Sequence, residues 1–342
     1  MPFLRQAQFR HAQHYRDVVN EADTLYQQGD QNLHRGLEFF DRERPHIEKA
    51  FEFLLCCAEA WTRNDRVTEQ TMRTETGEVE MGAAVLLISM VDAAPYVINL
   101  RFHPRQRIRL LQAQLAVARA AKDREAEGHA LGNLGIAYRQ LGDARQAIEF
   151  HGKRLVIARE ISDRHGEGVA LGNLGLAYWS SGDVLKAIEA YEHALVIVRK
   201  IGDKREEDCI LGNLGNAYSD LGDFRQAIKF YEQALVIDRE IGDRRGEGSD
   251  LGNLGLAYFD LGDFRQAIKF YDQAMLITRE IGNRRGEGNA LFNSALALDI
   301  LGSRTEAIAG AEAALRIFED IEDPNADKVR ARLAKWRSCA TP

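Results

Sequence analysis

The pentapeptide LGNLG begins at Leu131, Leu171, Leu211 and Leu251, a spacing of 40 residues each time, and a decayed copy, LFNSA, begins at Leu291. A fixed period in this range constrains the fold more than any bulk property does. It is the mark of a solenoid, in which each unit hides its apolar face against the next. The product of such stacking is an extended surface, so the period already favours a binding scaffold over a catalyst.

One repeat, Arg244 to Asn283, shows how the period folds. Leu251, Leu254, Gly255 and Tyr258 recur at the spacing of one helix face, and the pattern stops at Leu261-Gly262. Asp263 is a good N-cap, and Gln266 three residues later completes a capping-box pattern. Ala267, Ile268, Tyr271, Ala274, Met275 and Thr278 carry a second stripe, and Gly282 sits where a left-handed C-cap wants glycine. Each repeat therefore reads as helix A, tight turn, helix B, turn. The Asp-x-x-Gln pattern recurs at Asp143 and Asp223, becomes Ser303-x-x-Glu306 in the last repeat, and loses its reciprocal half at Asp183, where Lys186 stands third.

Helix A carries two glycines, each costing about 1 kcal/mol against alanine in a helix interior. Gly135, Gly175, Gly215 and Gly255 fit places where helix B crosses closely. Gly132, Gly172, Gly212 and Gly252 lie three residues earlier and would keep one helix face bare, so that a ligand can approach.

The order Leu254, Gly255, Tyr258, Ala267, Tyr271, Ala274 resembles the signature of the tetratricopeptide repeat. The match holds over four repeats and weakens in the fifth, where Ala295 and Leu298 replace the glycine and tyrosine. The 40-residue period exceeds the family's usual length of about 34 and is similar to the longer repeats of kinesin light chains and G-protein-signalling modulators. The resemblance implies an all-α, right-handed α-α superhelix with helix A on the concave side and helix B outside.

The expected organisation is an N-terminal helical region over 1–62, a polar loop and degenerate repeat-like helix pair over 63–123, five repeats over 124–322, and a capping helix with tail over 323–342. Candidate helices precede the loop at about Leu4–Gln28 and Leu33–Trp61, and the polar loop itself reads as Thr62 to Gly82. Pro95 stands where a glycine of the degenerate helix A should be and predicts a kink. The final helix follows Pro324 and is expected to cover the open end of the solenoid. The flanking stretches FRHAQHYRDVV, GLEFFDRERPHIEKAFEFLL and RFHPRQRIRLLQAQLAVARAAKDREAEGHALGNLG, with the closing IEDPNADKVRARLAKW, are similar to sensor arms of bacterial signal-transduction ATPases. No GxxxxGK[ST] motif is present. The chain therefore reads either as a fragment of a larger ATPase or as a stand-alone relative, with an ATPase core in the same or a neighbouring chain as an implied partner.

The candidate ligand-binding residues are Asn133, Asn173, Asn213, Asn253 and Asn293, one at the centre of each pentapeptide. An amide both donates and accepts, so it can pair with a peptide backbone of any sequence. The resemblance to superhelical repeats implies that they form a ladder along the groove and grip an extended peptide. The alternative is that each amide only bonds its own surroundings. Arg139, Trp179, Asn216 and Phe259 are the specificity candidates beside the ladder, with packing between repeats as the alternative for the two aromatics. Phe292 and Ser294 replace a glycine and a leucine, so the groove should narrow towards the C-terminal end. The basic pairs Lys204-Arg205, Arg244-Arg245 and Arg284-Arg285 read as solvated turns paired locally to Glu247 or Glu287, or else as a strip for an acidic partner.

Composition removes several function classes. A net charge of −7 argues against a general nucleic-acid binder, and salt-sensitive retention would be needed to revive one. The longest mostly apolar run, Ala83 to Val91, is too short to span a bilayer, and four cysteines without paired spacing suit reduced thiols and a cytoplasmic location. His11 and His14 lack a third ligand, so no metal and no cofactor is expected, and no nucleophile motif supports an enzyme. The leading expectation is a protein- or peptide-binding scaffold, a sensor or regulatory arm in bacterial signalling. The rival is a self-assembling module, supported by concentration-dependent mass.

Overall fold

The computed structural model of the chain describes residues 2–63, 75–92 and 95–338. They form sixteen helices, and no strand occurs among the described residues. The chain divides into two compact units, Met1–Ser181 and Gly182–Pro342.

The N-terminal unit contains α1 (Pro2–Gln27), α2 (Asp30–Arg63), α3 (Glu75–Asp92), α4 (Pro95–Arg101), α5 (Pro104–Ala120), α6 (Arg124–Gln140), α7 (Ala144–Glu160) and α8 (Arg164–Ser180). Its core gathers Phe40, Ile47, Leu54, Leu87 and Met90 with Leu110, Leu131 and Leu134. The buried Asp23 carboxylate is satisfied there by the Val97 backbone N–H at 2.8 Å, which ties α1 to the start of α4.

Two expectations for this region are corrected. Helix begins at Glu75, so the polar loop does not extend to Gly82; residues 64–74 lie outside the described residues. Tertiary contact accounts for the difference: Arg5 pairs with Glu80 at 2.6 Å, and Gly82 lies against the Phe9 ring. The kink expected at Pro95 is a helix boundary instead. One helix ends at Asp92 and another starts on Pro95, because proline lacks the N–H that an interior position must donate but a first-turn position need not.

The C-terminal unit contains α9 (Val184–Ile201), α10 (Lys204–Asp220), α11 (Phe224–Ile241), α12 (Arg244–Asp260), α13 (Phe264–Glu280), α14 (Arg284–Ile300), α15 (Arg304–Asp320) and α16 (Asn325–Ser338). Even-numbered helices from α6 to α14 are the A helices, and odd-numbered helices from α7 to α15 are the B helices. Within a hairpin the A-helix tyrosine stacks on a B-helix phenylalanine, as in Tyr218–Phe230 at 5.4 Å and Tyr258–Phe270 at 5.2 Å between ring centroids. At the last hairpin α16 buries Val329, Leu333 and Trp336, and the Trp336 indole donates to Asp299 Oδ2 at 2.7 Å.

Helix starts follow the caps in the sequence, with two corrections. Asp143, Asp223 and Asp263 accept from the backbone N–H of Gln146, Gln226 and Gln266 at 3.0–3.1 Å. The reciprocal bond is not made, because each cap's own N–H is already given to the carbonyl of Tyr138, Tyr218 or Tyr258. A full capping box forms at His103 and Gln106, ahead of α5. Ser303 makes no side-chain cap bond. The turn from helix B to the next helix A needs a left-handed residue. Gly202, Gly242 and Gly282 supply it without strain, whereas Lys122, Ser162 and Glu322 are forced to φ of 52–59°. No helix of the described residues is long and apolar enough to cross a membrane.

Candidate functional site

Each A helix is fixed at its start by two devices. The first is an N-cap: Asp123, Asp163, Asp203, Asp243 and Asn283 accept from a first-turn backbone N–H at 2.8–3.1 Å. The second is an ion-pair joint. Glu127, Glu167, Glu207, Glu247 and Glu287 are buried. Each accepts at Oε1 from an arginine of the preceding helix, Arg119, Arg159, Arg199, Arg239 or Arg279, at 2.7–2.8 Å. Arg124, Arg164, Lys204, Arg244 or Arg284 reaches Oε2 from three residues upstream. Burial raises the Glu167 carboxyl, but the hydrogen bonds from Arg159 and Arg164 outweigh it and hold the group below the usual carboxylate range. Of the basic pairs, Lys204, Arg244 and Arg284 are thus committed to local pairing, and Arg285 pairs with Asp323 at 2.8 Å.

The two glycines of helix A do different work. A methyl group added at Gly255 would lie 2.5 Å from the Tyr271 ring, and one at Gly135 would lie 2.5 Å from the His151 ring. These glycines admit the B-helix aromatic. Gly212 and Gly252 have nothing within 4 Å of that point, so their helix faces are bare. Gly132 differs, because the Arg154 side chain lies over it. Arg154 also lines a cavity of about 470 Å³ in the N-terminal unit, with Arg107, Asn99 and His129.

Each asparagine of the pentapeptides is half-buried. Asn133 opens into the 470 Å³ cavity. Asn173 donates to the Val169 carbonyl one turn back at 2.9 Å, which is the local bonding that competes with a ligand role. Asn213, Asn253 and Asn293 lie on α10, α12 and α14 of the C-terminal unit, and α12 and α14 touch each other directly. The specificity candidates are less free. The Tyr231 hydroxyl donates to Asn216 Oδ1 at 2.7 Å. Phe259 meets Phe264 edge to face at 5.2 Å, at the turn of its own hairpin. Trp179 and Arg139 are half-buried, and Arg139 Nε is buried without a hydrogen-bond partner.

The expected narrowing at Phe292 is corrected. Its side chain is 6% exposed and sits in the cluster formed by Ala307, Ala311, Phe318 and Trp336. The residue fills the core of the last hairpin instead of standing on an open face, because α16 supplies an apolar partner there. At the N-terminus His11 packs against Tyr15 with ring centroids 4.7 Å apart.

Sequence reasoning missed a group of three carboxylates. Asp208, Asp238 and Asp250 present oxygens that all lie within 4.8 Å of one another. Comparing the repeats position by position would have flagged each of them.

Stacked two-helix repeats with a tyrosine-for-glycine fit and a capped end define a helical-repeat scaffold. Tetratricopeptide repeat profiles match residues 130–164, 166–240 and 250–320, together more than half of the chain. The chain belongs to the tetratricopeptide repeat family. No curated protein sequence matches it. Among solved structures it is similar to the putative kinesin light chain repeats of Podosopora anserina, at 20% identity and a TM-score of 0.51, over 57% of this chain and 95% of that one. It is also similar to the signal transduction ATPase with a tetratricopeptide repeat sensor, PH0952, of Pyrococcus horikoshii. That match has 18% identity and a TM-score of 0.62, over 92% of this chain and 50% of that one. A Rap protein complexed with Competence and Sporulation Factor matches at 12% identity and a TM-score of 0.51, over 99% of this chain and 98% of that one. These likenesses are of fold.

Proposed function

We propose that the chain grips an extended peptide or protein segment along its A helices, with the pentapeptide asparagines pairing the ligand backbone. The observation that carries this is in the C-terminal unit. Asn213 and Asn253 recur in register, each beside a glycine with open space over it. Half-buried amides next to bare helix suit the close approach of another main chain. Asn293 holds the equivalent position on α14, and Asn133 and Asn173 hold it on α6 and α8 of the N-terminal unit. Arg139, Trp179, Asn216 and Phe259 are the candidates for selecting among ligand side chains, with Asn216 bonded to Tyr231 and Phe259 packed on Phe264.

A regulatory role in bacterial cytoplasmic signalling, as the sensor arm of an ATPase system, is the context we infer. It is supported by the likeness over 92% of this chain to an ATPase with a repeat sensor, and by the likeness to a Rap protein complexed with Competence and Sporulation Factor. The test is a pull-down comparing wild type with the triple variant Asn213→Ala, Asn253→Ala, Asn293→Ala, after checking equal helicity and melting. A partner retained by wild type and lost by the variant is expected. Equal retention would move the interface off the A helices.

A second reading, self-assembly, is favoured by one feature. Val196, Val236 and Leu276 occupy one position of successive B helices and are 53%, 63% and 58% exposed. Mass that rises with concentration, and falls back in Val236→Lys, would support it.

A further inference from the structure

Asp208 lies on α10, Asp238 on α11 and Asp250 on α12, so three successive helices of the C-terminal unit meet at one group of carboxylates. Asp238 is 1% exposed and Asp250 7% exposed. Neither oxygen of Asp238 has a hydrogen-bond partner, and Asp250 Oδ2 has none. Buried carboxylates without partners are expensive. Every buried A-helix glutamate of this chain answers that cost with arginine, and the buried Asp23 answers it with a backbone N–H. Here the neighbouring arginines are committed, Arg239 and Arg244 both to Glu247.

The internal repeats supply an independent comparison. The Asp208 position holds Gly128, Gly168, Gly248 and Gly288 in the other repeats. The Asp238 position holds Ala158, Val198, Thr278 and Phe318, and the Asp250 position holds Ala130, Ala170, Ile210 and Ala290. Three different positions of the repeat each turn acidic once, in different helices, and the three side chains converge. Uncharged residues at these places fold perfectly well in the sister repeats, so the fold itself does not call for the acids.

We propose that Asp208, Asp238 and Asp250 form a binding site for a divalent, oxygen-preferring cation of the calcium, magnesium or manganese kind. Oxygens within 4.8 Å of one another can surround a centre at the distances of about 2.0–2.6 Å that such ions take. A donor set of carboxylates alone, without nitrogen or sulfur, suits hard cations of this kind. Water would complete the coordination. The charge balance agrees with this assignment. Asp243 and Glu247 add negative charge to the mutual repulsion of the three carboxylates. An ion would relieve that repulsion and pin α10, α11 and α12 together. Because α10 and α12 carry Asn213 and Asn253, the cation would set the spacing of two neighbouring rungs of the proposed ladder, although the site stands whether or not the ladder binds peptide.

The test uses the full chain, stripped with chelator and melted at neutral pH with CaCl2, MgCl2 or MnCl2 added separately. One of the three should raise the melting temperature saturably, by roughly 5 °C at about a hundredfold excess over Kd, with one ion bound per chain by calorimetric titration. Asp250→Ala and Asp238→Thr install residues found in the sister repeats, so both should fold. Both should lose the response, and both should melt above the stripped wild type. The proposal is overturned if none of the three cations shifts the wild-type melt, or if both variants still respond. It is equally overturned if the wild type gains stability only on acidification, which would mean that the trio is held by shared protons.

Discussion

The first repeat, α6–α7, and the fourth, α12–α13, are the same hairpin with different side-chain chemistry. In the fourth, the space over Gly252 is open and a tyrosine fills the notch at Gly255. In the first, Arg154 lies over Gly132, and His151 fills the notch at Gly135. His151 is fully buried with neither ring nitrogen hydrogen-bonded. Burial, then Arg154 and Arg139, push its imidazole down to about 3. The comparison teaches that the period conserves the backbone's shape while leaving each repeat free to be apolar, titratable, open or covered.

The sharpest way to break the comparison is at the fourth repeat's two glycines. Gly255→Ala forces a methyl group into the Tyr271 ring and should cost about 2–3 kcal/mol by overpacking, read as a lower urea midpoint. Next comes His151. Unfolded, it binds a proton near 6.5; folded, only near about 3. Its contribution is therefore complete above the unfolded value and is lost as pH falls through that window. Stability should drop by about 2 kcal/mol on going to pH ~5. His151→Tyr, which copies Tyr191, Tyr231 and Tyr271, should remove that part of the slope; two superimposable pH profiles would refute the assignment.

Gly252→Ala should do the opposite of its neighbour. With nothing nearby to clash, it should gain about 1 kcal/mol from helix propensity, while weakening capture of a peptide ligand. A destabilised Gly252→Ala would show that the face is not bare. The smallest effect is expected at the turns. Ser162→Gly should stabilise by about 0.5–1 kcal/mol by relieving a left-handed serine, and Gly242→Ser should reverse the sign. Chemical denaturation of the pair would measure the difference.

Most of the fold was legible because its signals are local. Helix A and helix B follow from stripes within a single repeat, the caps from one aspartate each, and the local pairing of Arg244 and Arg284 from spacing of three. What was not legible depends on contacts between helices distant in the chain. The stretch at Glu75–Gly82 reads as polar loop, yet α1 supplies Arg5 and Phe9 to hold it as helix. Phe292 reads as bulk in a groove until α16 covers it. For the site, the asparagines were visible as a register, but the Asn173 bond to Val169 and the Tyr231 bond to Asn216 depend on side-chain rotamers set by packing in the folded chain. The aspartate trio lay between the two cases. Each member is visible as a departure from its sister repeats, and only the packing of three helices shows that the departures meet.

The glutamate–arginine joint has a consequence for how such a chain can change length. Every seam from α5–α6 to α13–α14 uses a glutamate, an arginine eight residues upstream and a basic helper three residues upstream, lysine at Lys204 and arginine at the others. A recombination event that inserts or excises one 40-residue period would rejoin matching halves and leave no orphan charge. Growth and shrinkage by whole periods are therefore nearly free of seam penalties, except around Asp208, Asp238 and Asp250, where cutting would divide a set that no other repeat can restore.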